Sequence, residues 1–224
     1  MKTDKLIIIG DSAFAEVAYE YFTHDSQYEV VGFAVERAFL TKTELFGLPV
    51  HSFEALPQIF ADEPVSFYAA LVYTQLNRLR ARLYQSAKDM GFKPASYISS
   101  KAFVWPNARI GEHCFIMEDN TVQPFVSIGD NVVLWSGNHI GHHGRIHDHV
   151  FVSSHVVVSG FCEIGAYSFL GVNATIGNNV TIAQDNWLGP NVTILSNTEA
   201  AQLFRAEPPP PAKVSTLRFF KVPK

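Results

Sequence analysis

The residues best suited to acid–base chemistry are concentrated in one short segment of the chain. Six of the nine histidines lie there, namely His139, His142, His143, His147, His149 and His155. The near-neutral pKa of histidine suits a general base that removes a proton from an attacking amine or hydroxyl. A group transfer of this kind also needs hydrogen-bond donors for the negative charge that develops on the attacked group. We therefore expect acid–base chemistry to involve this segment.

The same segment lies inside a long repeat with a period of six residues. An aliphatic residue occupies sixteen successive sixth positions, from Val104 to Ile194, and the residue four positions further on is small or short in every unit. Neither an α-helix nor a plain strand has this period. It is typical of a short strand and a tight turn around a narrow triangular interior. Because three units make a coil of 18 residues, we predict an all-β left-handed parallel β-helix over residues 98–200.

Several residues of the repeat have a purely structural interpretation. Cys114 and Cys162 fall at inward positions and are expected to be buried as small apolar residues, without a disulfide or a zinc site. Asn138 falls at a similar position, where an internal hydrogen bond is expected.

The first half of the chain predicts a different architecture. Apolar runs and helical periodicity alternate, and we predict strands at Leu6–Gly10, Tyr28–Val35 and Val65–Tyr73, with helices at Ser12–Phe22 and Gln75–Met90. Strands that alternate with helices indicate a small Rossmann-like α/β domain with a parallel sheet. We place this domain at residues 1–97.

The turn after the first strand predicts what the α/β domain binds. A dinucleotide fingerprint needs three glycines at this turn, whereas the sequence has Gly10, Asp11 and Ser12 followed by no further glycine. The turn still presents backbone amides at a helix N-terminus, which can receive a diphosphate. Glu36, at the end of the second strand, is placed to accept hydrogen bonds from a ribose or a base. These four residues predict a nucleotide-linked ligand.

The hexapeptide pattern resembles the hexapeptide-repeat acyltransferases, whose β-helices form trimers and bind acyl-CoA in grooves between neighbours. A narrower resemblance is to the sugar acyltransferases with an N-terminal α/β domain, typified by sialic acid O-acetyltransferases and bacterial nucleotide-amino-sugar N-acetyltransferases. The segments that carry it are Leu6–Gly10, Val31–Phe33, Gly47–Val50, Gly91–Phe92 and Tyr97–Ala102. The resemblance implies a homotrimer that holds a nucleotide-linked amino sugar in the first domain and an acyl-CoA co-substrate on the β-helix.

The resemblance also implies the catalytic residues. In that family the catalytic histidine follows an aliphatic repeat position by two residues, as His142 follows Ile140. The residue one coil further on is Gly160, whose counterpart donates its amide to the acyl carbonyl, and Asn178 lies another coil along the path of the pantetheine arm. His143 stands where the family has an acidic residue and joins the predicted catalytic set. The partner that orients His142 is left open between Asp148 and a backbone carbonyl.

We therefore predict an acyl-CoA-dependent sugar N-acyltransferase that acylates a deoxyamino sugar for surface polysaccharide synthesis, without a metal. Sugar O-acetylation is the alternative. Two further alternatives are a γ-type carbonic anhydrase, which needs three histidines around zinc, and a trimeric scaffold without activity.

Composition gives no sign of nucleic acid or membrane partners. A net charge of −4 without a basic block gives no reason to expect nucleic acid. No segment is long enough to insert into a membrane, so the expected location is the cytoplasm.

The last segment, residues 201–224, is predicted to be a proline-rich tail. Thr198–Arg205 is expected to form one or two helical turns, and the four prolines 208–211 must be extended because proline cannot continue a helix. Such a segment can cover the open end of a β-helix, which would otherwise expose strand edges.

Overall fold

The computed structural model describes residues 2–223. Its first part is a six-stranded sheet with helices on its faces, in the strand order β3-β4-β2-β1-β5-β6. The strands are β1 Asp4–Ile9, β2 Tyr28–Val35, β3 Glu44–Leu45, β4 Leu48–Ser52, β5 Ser66–Ala69 and β6 Lys93–Pro94, and the helices are α1 Ala13–His24, α2 Leu56–Ile59 and α3 Arg78–Asp89. All neighbouring strands are parallel except β3 and β4. The predicted parallel α/β domain is therefore confirmed.

Several details of this domain differ from the sequence-based prediction. The strand predicted at Val65–Tyr73 spans only Ser66–Ala69, and the chain continues as a loop. The third helix begins at Arg78 rather than at residue 75, because Gln75, Leu76 and Asn77 have positive φ angles of 53°, 50° and 68°. The strand Leu48–Ser52 was not predicted, although it extends the sheet beyond β2. Its sequence has a proline at the second position. Proline lacks the N–H that a strand inside a sheet donates to its neighbour, so its presence argues against predicting a strand there.

The second part of the chain is a triangular parallel β-helix with two-residue strands on three faces. The first face holds Tyr97–Ile98, Phe115–Ile116, Val133–Leu134, Phe151–Val152, Phe169–Leu170, Trp187–Leu188 and Leu203–Phe204. The second face holds Phe103–Val104, Thr121–Val122, His139–Ile140, Val157–Val158, Thr175–Ile176 and Thr193–Ile194. The third face holds Arg109–Ile110, Ser127–Ile128, Arg145–Ile146, Glu163–Ile164 and Thr181–Ile182. The predicted fold class, with its left-handed β-helix of hexapeptide repeats, is confirmed.

The repeat positions form the interior of this helix as the period predicted. The aliphatic residues from Ile116 to Ile194 are buried and pack with Cys114 and Cys162, both of which are free thiols. Asn138 is also buried, and its side-chain oxygen accepts the Val156 N–H at 2.8 Å. The corners turn through residues in the left-handed region, with φ between 56° and 64° at the non-glycine positions from His113 to Asn191. Each stretch of chain therefore returns to its starting face after 18 residues, as the register of the ladders shows.

The prediction for Thr198–Arg205 was wrong. The structure has no helical turn there, and Leu203–Phe204 instead pairs in parallel with Trp187–Leu188 on the first face. Phe204 packs against the end of the β-helix interior. A strand is favoured because the unpaired edge of the last coil offers backbone partners that a helix would leave unused. Beyond it, the prolines have no regular secondary structure, and a short helix, α4, spans Thr216–Phe219. Within residues 2–223, no helix is long and apolar enough to cross a bilayer.

Aromatic side chains join the two domains across the first face of the β-helix. Phe14 from α1 packs edge-on against Phe115, with ring centroids 5.6 Å apart, and against Phe151 at 6.5 Å. Tyr73, in the loop after β5, contacts Phe169 at 4.3 Å. The outward residues of the first face are thus buried by the α/β domain, and this interface fixes which side of the β-helix that domain covers.

A buried polar network at the same interface surrounds Arg80 of α3. Its guanidinium is fully buried and donates to the Asn131 side-chain oxygen at 3.0 Å, to the Asn131 carbonyl at 3.1 Å and to the Leu71 carbonyl at 3.4 Å. The Asn131 side chain also contacts Nδ1 of His113 and Nδ1 of His149, both at 2.9 Å. Burial lowers the pKa of Arg80 to about 10, so the guanidinium stays charged at neutral pH. The network holds the loop after β5 and the helix α3 against the corner between the third and first faces.

His113 makes the stability of this interface dependent on pH. Its Nε2 accepts the Ala69 N–H at 2.8 Å, and burial lowers its pKa from the ordinary 6.5 to about 3. Between these two values the unfolded chain binds a proton at this site and the folded chain does not, so its stabilising contribution is present above pH 6.5 and is lost as the pH falls toward 3. In the wild type this histidine makes the unfolding free energy decrease by about 1.4 kcal/mol per pH unit as the pH falls from 6.5 to 4. We expect His113→Gln to lack this part of the decrease.

Urea titrations at constant protein concentration and several pH values measure this slope. Glutamine keeps a side-chain acceptor for Ala69 and does not titrate, and the exposed His24→Gln serves as the control. Equal slopes for wild type and His113→Gln would contradict the prediction.

Candidate active site

The β-helix distributes the six clustered histidines over different parts of its surface. His142 and His143 share the corner between the second and third faces, and His147 and His149 share the corner between the third and first faces. His147 pairs with Glu163 at 2.5 Å, and His149 joins the interface network. His139 lies on a strand of the second face, and His155 lies at the corner between the first and second faces, where its ring packs on Gly137. The pair in this cluster whose rings contact each other is His142 and His143.

The ring of His142 lies directly over Gly160, as the 18-residue coil predicted. A Cβ atom at position 160 would come within 2.8 Å of Cε1 and of Nε2 of this imidazole. Real structures do not tolerate this distance, so any other residue would push the ring away. The His142 backbone N–H donates to the Gln123 side chain at 2.9 Å, which fixes the turn from the coil below. The absence of a side chain at Gly160 thus leaves the space that the His142 imidazole occupies at this corner.

The Gly160 amide is already occupied in this structure. Its N–H donates to the side-chain oxygen of Asn178 at 2.9 Å, one coil further along. The predicted oxyanion donor and the predicted pantetheine-lining residue are therefore bonded to each other. An acyl carbonyl that uses this N–H has to replace the Asn178 oxygen. The assignment of Gly160 to the oxyanion remains a prediction with this added condition.

His143 is the side chain that contacts the Nδ1 atom of His142. The two Nδ1 atoms lie 3.2 Å apart. The His143 ring is stacked between Phe125 at 4.6 Å and Phe161 at 4.8 Å, and these phenyl rings are 60% and 55% exposed. The two phenylalanines lie one coil before and one coil after His143, so the same spacing that placed Gly160 could have identified them. An aromatic stack therefore holds the imidazole that faces the proposed base.

The suggestion that Asp148 orients His142 was wrong. Asp148 lies at a different corner, between the third and first faces, where its carboxylate accepts the Asp130 N–H at 2.8 Å. The six residues that separate it from His142 in sequence cross one whole face of the β-helix. Sequence proximity therefore gives no contact here.

The His142 corner lies on the far side of the β-helix from the α/β domain. The chain passes from the first face to the second and then to the third, and His142 stands at the corner between the second and third. In a triangular prism this corner is opposite the first face, which Phe14 and Tyr73 of the α/β domain cover. A ligand held by the α/β domain must therefore cross a full face of the β-helix to reach His142 of the same chain.

The turn after β1 has the geometry of an anion site. Gly10 has φ 125°, and a Cβ atom there would lie 2.9 Å from the Ala70 carbonyl, so the close approach of β1 and β5 requires glycine. Ser12 takes the N-cap position of α1, as predicted, but its side chain accepts no hydrogen bond from the helix. The first amides of a helix lack intrahelical partners. The Ala15 and Glu16 N–H groups donate to the Ser12 carbonyl, so the N–H groups of Ala13 and Phe14 are left for solvent or a ligand. Gly10, Asp11 and Ser12 remain predicted ligand-binding residues.

Two cations that the sequence did not reveal flank this turn. Lys42 donates to the Asp11 carbonyl at 2.7 Å and lies 3.6 Å from its carboxylate. Arg82 forms a two-pronged pair with Glu36, with both N–O distances at 2.9 Å. A ribose at Glu36 would have to share the carboxylate with this guanidinium, so the role predicted for Glu36 stays a prediction. Both cations come from remote segments that no local motif marks.

Within residues 2–223, no group of three or more histidine, cysteine, aspartate or glutamate side chains is placed to hold a metal ion. The γ-type carbonic anhydrase alternative was based on the number of histidines in one segment of the sequence. In the structure those histidines lie at three different corners and on one strand.

Comparison with known proteins gives matches in repeat and in fold. The bacterial transferase hexapeptide family (six repeats) matches residues 98–142, and no curated protein matches the sequence. The repeat and the fold thus define a hexapeptide-repeat protein with an N-terminal α/β domain. The predicted resemblance to sugar acyltransferases with such a domain is confirmed by similar solved structures.

Among solved structures the chain is similar to two bacterial acetyltransferases. The perosamine N-acetyltransferase of Caulobacter crescentus, in complex with CoA and GDP-perosamine, is 25% identical with a TM-score of 0.79, and the match covers 89% of this chain and 92% of that one. A histidine-to-asparagine mutant of it, with the same two ligands, is 26% identical at the same TM-score. The acetyltransferase domain of PglB from Neisseria gonorrhoeae is 23% identical with a TM-score of 0.80, covering 90% and 96%, and supports the fold alone.

Proposed function

We propose that this protein transfers an acetyl group from acetyl-CoA to the amino group of a nucleotide-linked deoxyamino sugar. The observation that carries the proposal is the placement of the His142 imidazole on Gly160, at an exposed corner of a hexapeptide β-helix. The neighbour that binds CoA and GDP-perosamine, which shares both domains of this chain, supports the class of enzyme and its two substrates.

The contacts of His142 indicate how it would act. When its Nδ1–H donates to Nδ1 of His143, at 3.2 Å, its Nε2 keeps a free lone pair. As the sugar nitrogen attacks the thioester carbonyl, Nε2 takes the proton from that nitrogen, and the carbonyl oxygen becomes an oxyanion. The C–S bond then breaks, and the imidazolium returns the proton to the departing thiolate. Direct attack of this kind requires no acyl-enzyme and depends on positioning.

The Gly160 N–H is the proposed donor to the oxyanion. In the absence of substrate the Asn178 oxygen occupies this N–H at 2.9 Å. Gly160 is buried in the turn after Val157–Val158, where its carbonyl accepts the Asn179 N–H at 3.1 Å. Its amide is thus held in direction and can stabilise charge with little reorganisation. The Asn178 side chain therefore acts as a place-holder that the acyl carbonyl replaces.

We further propose a homotrimer in which the two substrates meet between protomers. The α/β domain and His142 lie on opposite sides of one β-helix, so an acceptor bound at the Gly10 turn of one protomer is delivered to His142 of a neighbour. Closed rotational symmetry makes three equivalent sites of this kind. The exposed stack of Phe125 and Phe161 beside His142 is the kind of surface that such a contact buries.

The activity is tested by thiol release from acetyl-CoA. UDP-, GDP- and dTDP-linked amino sugars serve as acceptors, and the matching sugars with a hydroxyl in place of the amine serve as controls. We expect release with at least one amino sugar and an acetylated product that resists hydroxylamine, as an amide does. A product cleaved by hydroxylamine would identify an ester and the O-acetylation alternative, and absence of release with every acceptor would contradict the proposal.

A separate prediction concerns the orientation of His142. The substitution His143→Phe retains a ring between Phe125 and Phe161 but removes the acceptor for Nδ1–H. We expect turnover to fall about tenfold with little change in the KM for acetyl-CoA, because a freed imidazole samples unproductive rotamers. The substitution His143→Glu restores an acceptor and is expected to recover most of this loss. Steady-state kinetics of the two variants measure both effects, and wild-type turnover in His143→Phe would show that the contact has no role in positioning.

A further inference from the structure

The third face of the β-helix has two unneutralised arginines next to the His142 corner. Arg109, Ser127 and Arg145 occupy the same outward position on three successive strands, and Ser127 pairs in register with both arginines. Because neighbouring strands lie about 4.8 Å apart, the two arginine backbones are about 10 Å apart with a hydroxyl between them. Two guanidinium groups at this spacing can bind one diphosphate from both sides.

The surroundings of these arginines consist of hydrogen-bond donors and one aromatic wall. A cavity of about 410 Å³ is lined by Asn107, Arg109, Phe125, Val126, Ser127 and Arg145. None of the six is acidic. The Asn107 oxygen is used by the Phe125 N–H at 2.9 Å, so this side chain presents its NH₂ group to the surroundings. The cavity therefore has the composition of an anion site.

The nearest carboxylate on the same ladder does not neutralise the pair. Glu163 is the register partner of Arg145, but its carboxylate contacts His147 at 2.5 Å. Within the part of the chain that the structure describes, neither Arg109 nor Arg145 forms an ion pair. Two exposed guanidinium groups thus share one cavity without a counter-ion.

The cavity is close enough to the proposed base to hold part of a substrate. Phe125, which forms its wall, also stacks on His143 at 4.6 Å. The cavity lies on the N-terminal side of His142, whereas Gly160 and Asn178 lie on the C-terminal side. An acyl-CoA that runs along Gly160 and Asn178 leaves the N-terminal side of the corner to the other substrate.

We propose that Arg109 and Arg145 form a binding site for the phosphate groups of a substrate. The side of His142 on which they lie favours the acceptor, whose diphosphate would then be held between these arginines and the Gly10 turn of the neighbouring protomer. The diphosphate of CoA is the other source of the same chemistry. The inference rests on the proposed function for the identity of the substrate, but the anion site itself does not depend on it.

Titration calorimetry with inorganic pyrophosphate tests the site directly. Wild type, Arg109→Gln, Arg145→Gln, the double variant and Arg205→Gln are compared, where Arg205 is an exposed arginine outside the cavity. We expect each single substitution at the site to raise the Kd about tenfold or more, since each removes a charge-assisted hydrogen bond. Arg205→Gln should bind as wild type does. Equal affinity in wild type and the double variant, or an equal loss in Arg205→Gln, would overturn the proposal.

Two further measurements identify the source of the phosphate and check the assembly. A rise in the KM for the acceptor alone would assign the site to the nucleotide sugar, and a rise in the KM for acetyl-CoA alone would assign it to CoA. Size-exclusion chromatography of the double variant is expected to give the wild-type oligomer. Dissociation of the oligomer together with loss of pyrophosphate binding would make the arginines interface residues and would overturn the proposal. If no acyl transfer is found with any acceptor, the calorimetry still decides whether the anion site exists.

Discussion

His142→Ala is expected to lower the turnover number by about 10²- to 10⁴-fold, which is the usual effect of removing a general base. The imidazole lies on Gly160 and is exposed, so its loss removes the proposed proton acceptor without disturbing the interior of the β-helix. The KM for acetyl-CoA should change by less than about threefold, because the proton is transferred only in the transition state. Thiol release under saturating acetyl-CoA measures both parameters.

Two variants control for structural effects at this corner. His142→Asn keeps a polar side chain over the glycine and should lose as much turnover as His142→Ala. His139→Ala removes another histidine of the same sequence cluster, one that lies on a strand of the second face, and should retain wild-type turnover. A turnover for His142→Ala within about tenfold of wild type would exclude a general base at this position.

Much of this site could be predicted because the fold is strictly periodic. In a β-helix with 18-residue coils, residues one coil apart are neighbours, so sequence spacing becomes distance in space. The stacking of Gly160 on His142 and the burial of Cys114 and Cys162 follow from that single rule. The same rule would have identified Phe125 and Phe161 as the neighbours of His143, since 18 residues separate each of them from it.

The features that could not be predicted depend on contacts that no local sequence pattern records. The pairing of Arg82 with Glu36 joins α3 to the end of β2, and no local pattern in either segment records it. The Gly160 to Asn178 hydrogen bond follows the coil spacing, but it depends on the rotamer of one asparagine. The strand at Leu203 escaped prediction because its partner is the open edge of the last coil, which exists only in the folded molecule.

The separation of the α/β domain from His142 has a consequence for the assembly. Aromatic contacts fix that domain on the first face, and His142 lies at the opposite corner. A monomer of this shape would present each substrate on a different side of a packed β-helix. If the proposed acceptor turn and the proposed base serve one reaction, they must belong to different protomers.

Mixed trimers of two inactive variants are therefore expected to regain activity. The first variant is His142→Ala, which lacks the base. The second is Ser12→Glu, which places a carboxylate at the exposed N-cap of α1 and so competes with an anionic acceptor for the free helix amides, at little cost to folding because negative charge is favoured there. Ser12→Gln, which is similar in size but neutral, serves as the matched control and should remain active.

The expected recovery follows from the symmetry of the ring. Each site combines the base of one protomer with the acceptor turn of its neighbour, so a trimer with two copies of one variant and one of the other contains one intact site in three. Mixed trimers purified through two different affinity tags should have about one third of the wild-type turnover per trimer, whereas trimers of either single variant should have almost none. Sites built within one protomer would give no recovery at all, because every protomer would then lack either its base or its acceptor turn. The measurement thus decides whether the distance between the α/β domain and His142 is bridged by a neighbouring copy of the chain.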